Sequence, residues 1–341
     1  NTTVAYVPSD TYTGDLKWET TSQFNVGVDL SLFNNRLRMT ADYYRKKTTD
    51  LLNNVEMPRS SGYTTALRNI GSIRNSGFEL QLDGRIIDRA VKWDLGVNFS
   101  LNRSKVLVLS EDKDIFGGEL DNTILKDQLN LMRVGEPMYV FYGYVEDGYD
   151  ENGHIVYKNM DDDPAITAAD KTIIGDPNPD FLVNLTTAVS YKGFTLSAFF
   201  QSSTGNDIYS LSMAAQAYDY GYNGNTLREV YYNHWTPENP TAKYPNLDQT
   251  SYKMSDRFVY DGSFVRLKNL ELAYDVPCAR NKFIKRARVY VSAQNLFTIT
   301  SYPFWDPDIN ANGGGSSMIQ GVDSYCYPSA RTYTIGCRLT F

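Results

Sequence analysis

The sequence predicts an all-β fold, an antiparallel up-and-down sheet that forms part of a transmembrane β-barrel. Three observations support this prediction. Apolar and polar residues alternate along nine segments, short and long connections alternate between these segments, and no run of 18 apolar residues could form a membrane helix. A barrel strand requires this alternation, because one face meets lipid and the other faces the lumen.

The last segment, residues 329–341, has the clearest alternation. Its apolar face carries Tyr333, Ile335, Cys337, Leu339 and Phe341, and the residues between them are threonine, glycine or arginine. A final strand that ends on an aromatic residue and keeps an apolar outer face is typical of membrane barrels. A soluble sheet could also end in this way.

The other eight segments form four hairpin pairs. The pairs are 16–33 with 36–52, 73–87 with 91–109, 180–191 with 194–209, and 263–277 with 288–300. Asn34-Asn35 and Lys192-Gly193 are two-residue turn signals in the first and third pairs. In the fourth pair the apolar positions change phase between Leu267 and Leu270, which predicts a β-bulge near Lys268-Asn269.

The connections predict which end of the sheet faces outward. Turns at 34–35, 88–90, 192–193 and 278–287 are short, whereas 53–72, 110–179, 210–262 and 301–328 are long, and residues 1–15 form a further loop. Strict alternation places the long connections at one end, like the extracellular loops of outer-membrane barrels. Nine strands then bring Phe341 to the periplasm. Because such barrels close an even number of strands, we expect the first part of the barrel to precede Asn1, which begins no signal peptide.

The composition argues against two classes of function. The chain has 341 residues, 33 basic and 40 acidic, with a net charge of -7 and no basic stripe, so nucleic acid is not an expected partner. His154 and His234 are far apart and lack a serine or cysteine nucleophile nearby, and the carboxylates are scattered. We therefore predict no catalytic residues and no enzyme activity.

One acidic stretch resembles a calcium-binding loop. Asn159, Asp161, Asp163 and Asp170 occupy its positions 1, 3, 5 and 12, and a hard cation needs several such oxygens. Position 6 requires a glycine for its sharp turn, but Pro164 stands there with a fixed negative φ. Calcium is thus a weak prediction, and the alternative is a solvated acidic loop.

Two groups of aromatic residues lie in the long connections. Their rings could stack on sugar rings or pack against a partner protein, or they could instead brace the connections themselves. The candidate contact residues are Phe141, Tyr142 and Tyr144 in the first group, and Tyr218, Tyr220, Tyr222 and Trp235 in the second, whose cluster also includes Tyr231 and Tyr232.

An ordered series of segments along the whole chain resembles a known family. It includes LKWETTSQFNVGVDLSLFNNRLRMTADYYRKKTTDLL, SGYTTALRNIGSIRNSGFEL, GEPMYVFYGYVEDGYDENG, ITAADKTIIGDPNPDF, WTPENPTAKYP, DGSFVRLKNLELAYDVP, VYVSAQNLFTITSY and YPSARTYTIGCRLTF. The chain closely resembles the C-terminal part of SusC-like, RagA-type TonB-dependent transporters of Bacteroidetes outer membranes. This resemblance implies nine strands of a 22-stranded barrel, whose plug and earlier strands belong to a missing N-terminal part.

The resemblance also implies a function and a set of partners. We expect import of an oligosaccharide or peptide, with a SusD-like lipoprotein lid, the TonB complex acting through the missing part, and membrane lipid around the barrel. Tyr333, Ile335, Leu339 and Phe341 would form the barrel assembly signal. Two alternatives remain open, a surface-binding or adhesion barrel without transport and a soluble β-rich enzyme acting on glycans.

Overall fold

A computed structural model describes residues 12–13, 16–56, 60, 65–110, 113–121, 125–218, 225–278, 283–309 and 319–341. Nine long strands in this part of the chain form one sheet in which each strand pairs antiparallel with its chain neighbour. The short strand Tyr12–Thr13 pairs parallel with the third of them. The nine are β1 (Thr20–Leu32), β2 (Leu37–Glu56), β3 (Thr65–Asp88), β4 (Val91–Leu109), β5 (Phe181–Tyr191), β6 (Phe194–Thr204), β7 (Phe264–Val276), β8 (Arg286–Thr300) and β9 (Thr332–Thr340).

The register gives the sheet one apolar and one polar face. Leu196, Leu272, Val291 and Ile335 lie directly opposite one another across β6 to β9, and Ile335 is 87% exposed. The adjacent row, in which each residue is a chain neighbour of one of these four, lies on the other face and consists of Ser197, Glu271, Ser292 and Thr334. Exposed apolar side chains in such rows are the outward face of a membrane sheet, and the polar rows face inward.

The turns and the predicted bulge follow from local sequence. Lys192 and Gly193 both have positive φ, as a tight two-residue hairpin requires. The first turn is longer than predicted, because Phe33 joins Asn34-Asn35 at positive φ and the turn closes with the Arg36 N–H donating to the Phe33 carbonyl. The register of β7 against β8 shifts between Leu267 and Asn269, which confirms the predicted bulge.

Two predicted boundaries are wrong. The expected loop 53–72 is mostly strand, because β2 continues to Glu56 and β3 begins at Thr65, with Asn53 opposite Arg68. The sequence has no regular apolar alternation there, although the backbone pairing continues. The strand predicted for 194–209 ends at Thr204, and Asp207–Ser210 pairs with other segments instead.

The long connections 110–180, 205–263 and 301–331 contain secondary structure of their own. Helices α1 (Leu211–Tyr218) and α2 (Arg228–Tyr232) lie in the second connection, and none of the helices in the described residues is long and apolar enough to cross a membrane. The 3₁₀ turns are Ala168–Asp170 and Asp256–Phe258. The short strands are Ile115–Phe116, Glu119–Asp121, Lys126–Gln128, Asn130–Met132, Val140–Gly143, Glu146–Tyr149, Ile155–Tyr157, Thr172–Gly175, Asp207–Ser210, Val259–Asp261 and Val322–Asp323.

These three connections pack into one unit, which we call the loop body. Asp207–Ser210 pairs antiparallel with Val259–Asp261 and parallel with Val322–Asp323, so strands of the second and third connections share a sheet. One apolar core takes residues from all three connections. Its fully or nearly buried members include Leu125, Leu129, Phe141, Ile155, Tyr209, Ala214, Val230, Tyr244, Met254, Phe258 and Val322.

A second, smaller core joins the loop body to the sheet. Ile70 of β3 and Val106 and Leu109 of β4 are buried with Met132 of the first connection. Alternation of strands in the up-and-down sheet places all long connections at the same end. The loop body therefore sits on that end of the sheet, and the short turns lie at the other end.

Candidate binding surface on the loop body

A buried ion pair fixes the first connection to the second. Glu146 accepts from the Arg257 guanidinium, with 2.7 Å between Nε and Oε2, and from the Ser255 hydroxyl at 2.6 Å. Arg257 also donates to the Tyr149 hydroxyl at 3.1 Å. Burial lowers the pKa of Arg257, but hydrogen bonding to Glu146 prevails and the pKa is raised. The Arg257 guanidinium therefore stays charged, and removing either partner would leave the other buried without its hydrogen bonds.

Arg266 near the start of β7 fixes the third connection to the sheet. Arg266 is only 1% exposed. Its Nε donates to the Thr298 hydroxyl at 2.9 Å, and its guanidinium forms an ion pair with Asp306. Asp306 also accepts the Ser329 N–H at 2.9 Å, so this carboxylate joins the two halves of the connection. Burial opposes ionisation of Asp306, but the backbone N–H donors and Arg266 hold its pKa below the usual range.

A buried polar network joins the second and third connections. The Tyr302 hydroxyl donates to Asp323 at 2.6 Å and lies 2.8 Å from the Ser210 hydroxyl. The Ser212 hydroxyl donates to the other Asp323 oxygen at 3.0 Å. Burial and the neighbouring Asp323 carboxylate raise the pKa of Tyr302, so this hydroxyl remains a donor. Each buried polar atom named here has a partner, which is the condition for such a network to stabilise a fold.

The anchored loop body exposes large aromatic rings. Trp305 is 59% exposed and stacks on Phe304 with ring centroids 4.8 Å apart, and Tyr327 is 89% exposed. Because Arg266 and Asp306 fix the backbone on both sides, these rings are held in place without being covered. We call Tyr231, Tyr232, Trp305, Tyr325 and Tyr327, all exposed, the exposed rings. Such rings offer large apolar faces at a small entropic cost on binding.

The inward face of the sheet is charged near the short turns. Arg85 pairs with Asp94 at 3.0 Å across β3 and β4, and Arg288 pairs with Glu271 at 3.4 Å and Asp275 at 3.5 Å across β7 and β8. These side chains lie on the polar rows of the register. A polar, charged inner wall beside an apolar outer wall is the arrangement of a barrel with a hydrated lumen.

The comparisons with known proteins agree with this arrangement. The family model described as TonB dependent receptor-like, beta-barrel matches residues 2–296. The chain belongs to this family. Residue by residue, the chain is 34% identical to TonB-dependent receptor P3 of Formosa agariphila, over 98% of this chain and 35% of the relative. It is 29% identical to TonB-dependent receptor SusC of Bacteroides thetaiotaomicron, over 96% of this chain and 32% of SusC.

Solved structures of the RagAB peptide transporter share the fold. The RagAB peptide transporter matches with a TM-score of 0.79 and 29% identity, over 96% of this chain and 36% of that chain. RagAB in its closed-closed state matches with a TM-score of 0.81. The chain thus spans about a third of the length of the relatives that it matches. The predicted family and the all-β fold class are confirmed.

Three of the rings predicted to contact a substrate or a lid are buried in this barrel's loop body. Phe141 is 0% exposed and packs edge-on against Tyr209, and Tyr144 packs against Tyr157. Tyr218 is also buried and stacks on Tyr252. For Phe141, Tyr144 and Tyr218 the contact prediction is corrected, because their rings fill the core and leave no face free. The bracing alternative describes them better.

The remaining predicted rings have different positions. Tyr142 is half-buried beside Arg133, whose guanidinium lies 5.0 Å from the ring centroid, and Trp235 is also half-buried. Tyr220 and Tyr222 lie outside the described residues. Contact through Tyr142 and Trp235 stays a prediction. Trp305, Tyr325 and Tyr327 were not among the predicted contact residues, although the aromatic residues beside prolines in PFWDP and YCYP indicate exposed turns.

The calcium-like stretch folds around its own backbone. Asp161 and Asp163 accept the N–H groups of Asp163 and Ala165, and Asn159 accepts that of Asp161. Asp170 accepts Met160 N–H and Thr167 N–H, both at 2.7 Å. These hydrogen bonds stabilise the charged carboxylate and lower the pKa of Asp170, and the bond from Met160 has the largest effect.

This geometry gives the calcium prediction no support. Within the described ranges, no group of three or more His, Cys, Asp or Glu side chains is placed to hold a metal ion. The carboxylates of the stretch instead satisfy N–H groups at consecutive turns. Calcium binding at Asn159, Asp161, Asp163 and Asp170 stays a prediction of the sequence.

Proposed function

We propose that this chain is a section of the wall of an outer-membrane importer that takes up an oligosaccharide or a peptide with energy delivered through TonB. The observation that carries the proposal is the two-faced nine-stranded sheet with a structured loop body at one end only. Membership of the TonB-dependent receptor family and likeness to SusC and RagAB support it.

In this proposal the loop body captures the substrate on the cell surface. The exposed rings, Trp305 and Tyr327 above all, would stack on sugar rings or on apolar side chains of a peptide. The polar inner wall would then line the route through the barrel, past a plug supplied by the rest of the protein. Phe341, at the short-turn end, would lie in the periplasm.

We also propose a SusD-like lipoprotein as a lid on the loop body. The chain resembles RagAB, which is named as a peptide importer, and SusC. Large, anchored, exposed rings are the residues that dominate the free energy of protein–protein contacts. A lid that packs on Tyr231, Tyr232 or Tyr325 would bury rings that are otherwise exposed to water.

A surface-binding barrel without transport is the second candidate. The exposed rings favour it as much as they favour capture before import, because stacking needs no energy source. The two candidates differ in accumulation inside the cell, since only import concentrates the substrate.

An uptake experiment distinguishes these candidates. Cells that produce the complete protein are given fluorescently labelled oligosaccharides or peptides, with and without collapse of the proton gradient. We expect energy-dependent accumulation that falls about tenfold for the double variant Trp305→Ala, Tyr327→Ala, because two anchored rings are lost. Tyr191→Ala, a ring at the opposite end of the sheet, is the matched control. Surface binding without accumulation would contradict import and favour the binding barrel.

A further inference from the structure

The outward face of the sheet has an apolar groove near the short turns. It has a volume of about 520 Å³ and crosses β6 to β9. Its lining includes Phe194, Tyr274, Val289, Val291, Ile335 and Cys337.

The groove results from the order of side-chain sizes along one row. Phe194 lies opposite Tyr274, Tyr274 opposite Val289, and Val289 opposite Cys337. The first two rings pack together with centroids 4.5 Å apart, and the next two side chains are small. In the following row, Ile335 is large and exposed. The surface therefore descends from a ring wall to a floor at Val289 and Cys337.

Two lysines stand between this groove and the short-turn end. Lys192 lies in the turn before Phe194, and its ammonium is 5.2 Å from the centroid of the outward Tyr191 ring. Lys285 precedes β8, and its N–H donates to the Thr340 carbonyl at 2.8 Å, so pairing continues there. Because Lys285 is two residues before Ala287, it faces the same side as Val289. Both lysines are exposed, and neither has an ion pair among the described residues.

The spacing of the lysines and the groove suits an amphiphile. A strand rises about 3.4 Å per residue, so Lys285 lies roughly 13 Å from Val289 along β8. Glycerol and the first carbons of an acyl chain bridge such a separation between a phosphate and a hydrocarbon site. A bare apolar ligand would leave the two ammonium groups without an anionic partner.

We propose that the groove binds an anionic glycerophospholipid, with an acyl chain along Val289 and Cys337 and the phosphate between Lys192 and Lys285. This inference rests on the proposed position of the sheet in the outer membrane, where the short turns meet the periplasmic leaflet. It goes beyond general contact with lipid, because it specifies a negatively charged headgroup and the position of one acyl chain on the sheet. Charge complementarity with the two lysines selects an anionic lipid over a second copy of the chain.

Native mass spectrometry of the complete, detergent-extracted protein tests this site. Delipidated protein is titrated with phosphatidylglycerol or with phosphatidylcholine. We expect retained phosphatidylglycerol and weaker phosphatidylcholine binding. Lys192→Gln and Lys285→Gln should each weaken phosphatidylglycerol binding about fivefold. Cys337→Trp, which fills the floor, should abolish retention of either lipid.

Two matched variants control for general effects. Lys92→Gln removes a cation at the same end of the sheet from the inward face, where Lys92 lies opposite Ser190. Val97→Trp enlarges an outward side chain between Leu82 and Leu185, away from the groove. Both should bind phosphatidylglycerol like the unaltered protein. The lysine variants keep the test valid if Cys337→Trp does not fold.

Several outcomes would overturn the site. They are unchanged binding in the lysine and groove variants, equal loss in the two control variants, equal affinity for both lipids, or a mass of two protein copies without lipid. Because lipid mass is the readout, failure of the two proposals is distinguishable. Lipid retention without import would contradict the proposed function alone, and import without lipid retention would contradict the site alone.

Discussion

The Arg266 side chain holds the third connection against the sheet through Asp306, Thr298 and Ser329. Arg266→Met keeps the length of the side chain but leaves the Asp306 carboxylate buried without its cation. We expect local destabilisation of about 3–5 kcal/mol, which is usual when one partner of a buried ion pair is removed. Amide hydrogen exchange should rise in 301–309 and 319–331.

Lys243→Met is the matched control for Arg266→Met. Lys243 pairs with Glu229 at 2.8 Å, but both side chains are half-exposed. An exposed pair contributes about 0–1 kcal/mol, so exchange in the loop body should hardly change. Equal exchange in the two variants would contradict the anchoring role of Arg266.

Because of Asp170, we expect the stability of the folded stretch 159–170 to depend on pH. Its folded pKa lies below the ordinary 3.8, because Met160 and Thr167 N–H groups donate to the charged form. The stabilisation is therefore complete above the ordinary pKa and is lost as the pH falls through the lowered pKa. Pepsin cleavage of this stretch, followed between about pH 2 and pH 5, should begin only at the acidic end. Asp170→Asn should remove this pH dependence, and onset at the same pH in both proteins would contradict the assignment.

At the scale of strands, close approach fixes where glycine is needed. A Cβ on Gly77 of β3 would lie 2.5 Å from the Leu101 carbonyl oxygen and 2.6 Å from the Tyr44 ring. A Cβ on Gly84 of the same strand would meet its nearest atom at 3.4 Å, an ordinary contact. We expect Gly77→Ala to cost about 1–3 kcal/mol of stability and Gly84→Ala to cost much less.

The heat-dependent change in electrophoretic mobility that membrane barrels show on unfolding measures this difference. Gly77→Ala should unfold at a lower temperature than Gly84→Ala. A Gly84→Ala protein that unfolds first would show that the approach of Tyr44 to β3 is misplaced.

The sequence was sufficient to predict the strands of the sheet. Each of the strands β1 to β9 has an alternating apolar and polar sequence, and a change of phase at Lys268-Asn269 predicts the bulge in β7. The last residues of β2 and the first residues of β3 could not be predicted, because polar and apolar residues follow no regular alternation there. Backbone pairing there depends on the neighbouring strand and leaves no alternation to read.

The loop body could not be predicted from sequence. Val322–Asp323 has two residues and pairs with Asp207–Ser210, more than a hundred positions earlier. Such short strands carry no usable period. Burial of rings is equally hidden, because Phe141 and Trp305 both lie in aromatic-rich stretches, MYVFYGY and SYPFWDP. One fills a core that three connections build, and the other lies outside it.

At the scale of the whole molecule, the loop body should behave as one cooperative unit. Phe141 of the first connection packs on Tyr209 of the second. Phe141→Ala should leave a cavity costing about 3–5 kcal/mol. We expect faster amide exchange in 125–180 and 205–218 together, with the sheet unchanged. Phe194→Ala, on the outward face of β6, should leave both connections protected. Exchange that rises in the first connection alone would contradict a shared core.

The two faces of the sheet and its single loop body lead to one arrangement. In the proposed arrangement the apolar face meets lipid, the charged face lines a lumen, and the loop body stands outside the cell. β1 and β9 are the two edges of this nine-stranded sheet in the described residues. Open strand edges are not tolerated in hydrocarbon, so this arrangement predicts a further pairing partner for each of them.

The most direct measurement is an electron cryomicroscopy structure of the complete protein extracted in detergent with whatever accompanies it. The account predicts a closed barrel in which β1 and β9 each pair with a further strand, with Ile335 facing the detergent belt and a second protein resting on the loop body. A map in which the nine strands form a separate soluble sheet, or in which Ile335 faces the interior, would contradict it.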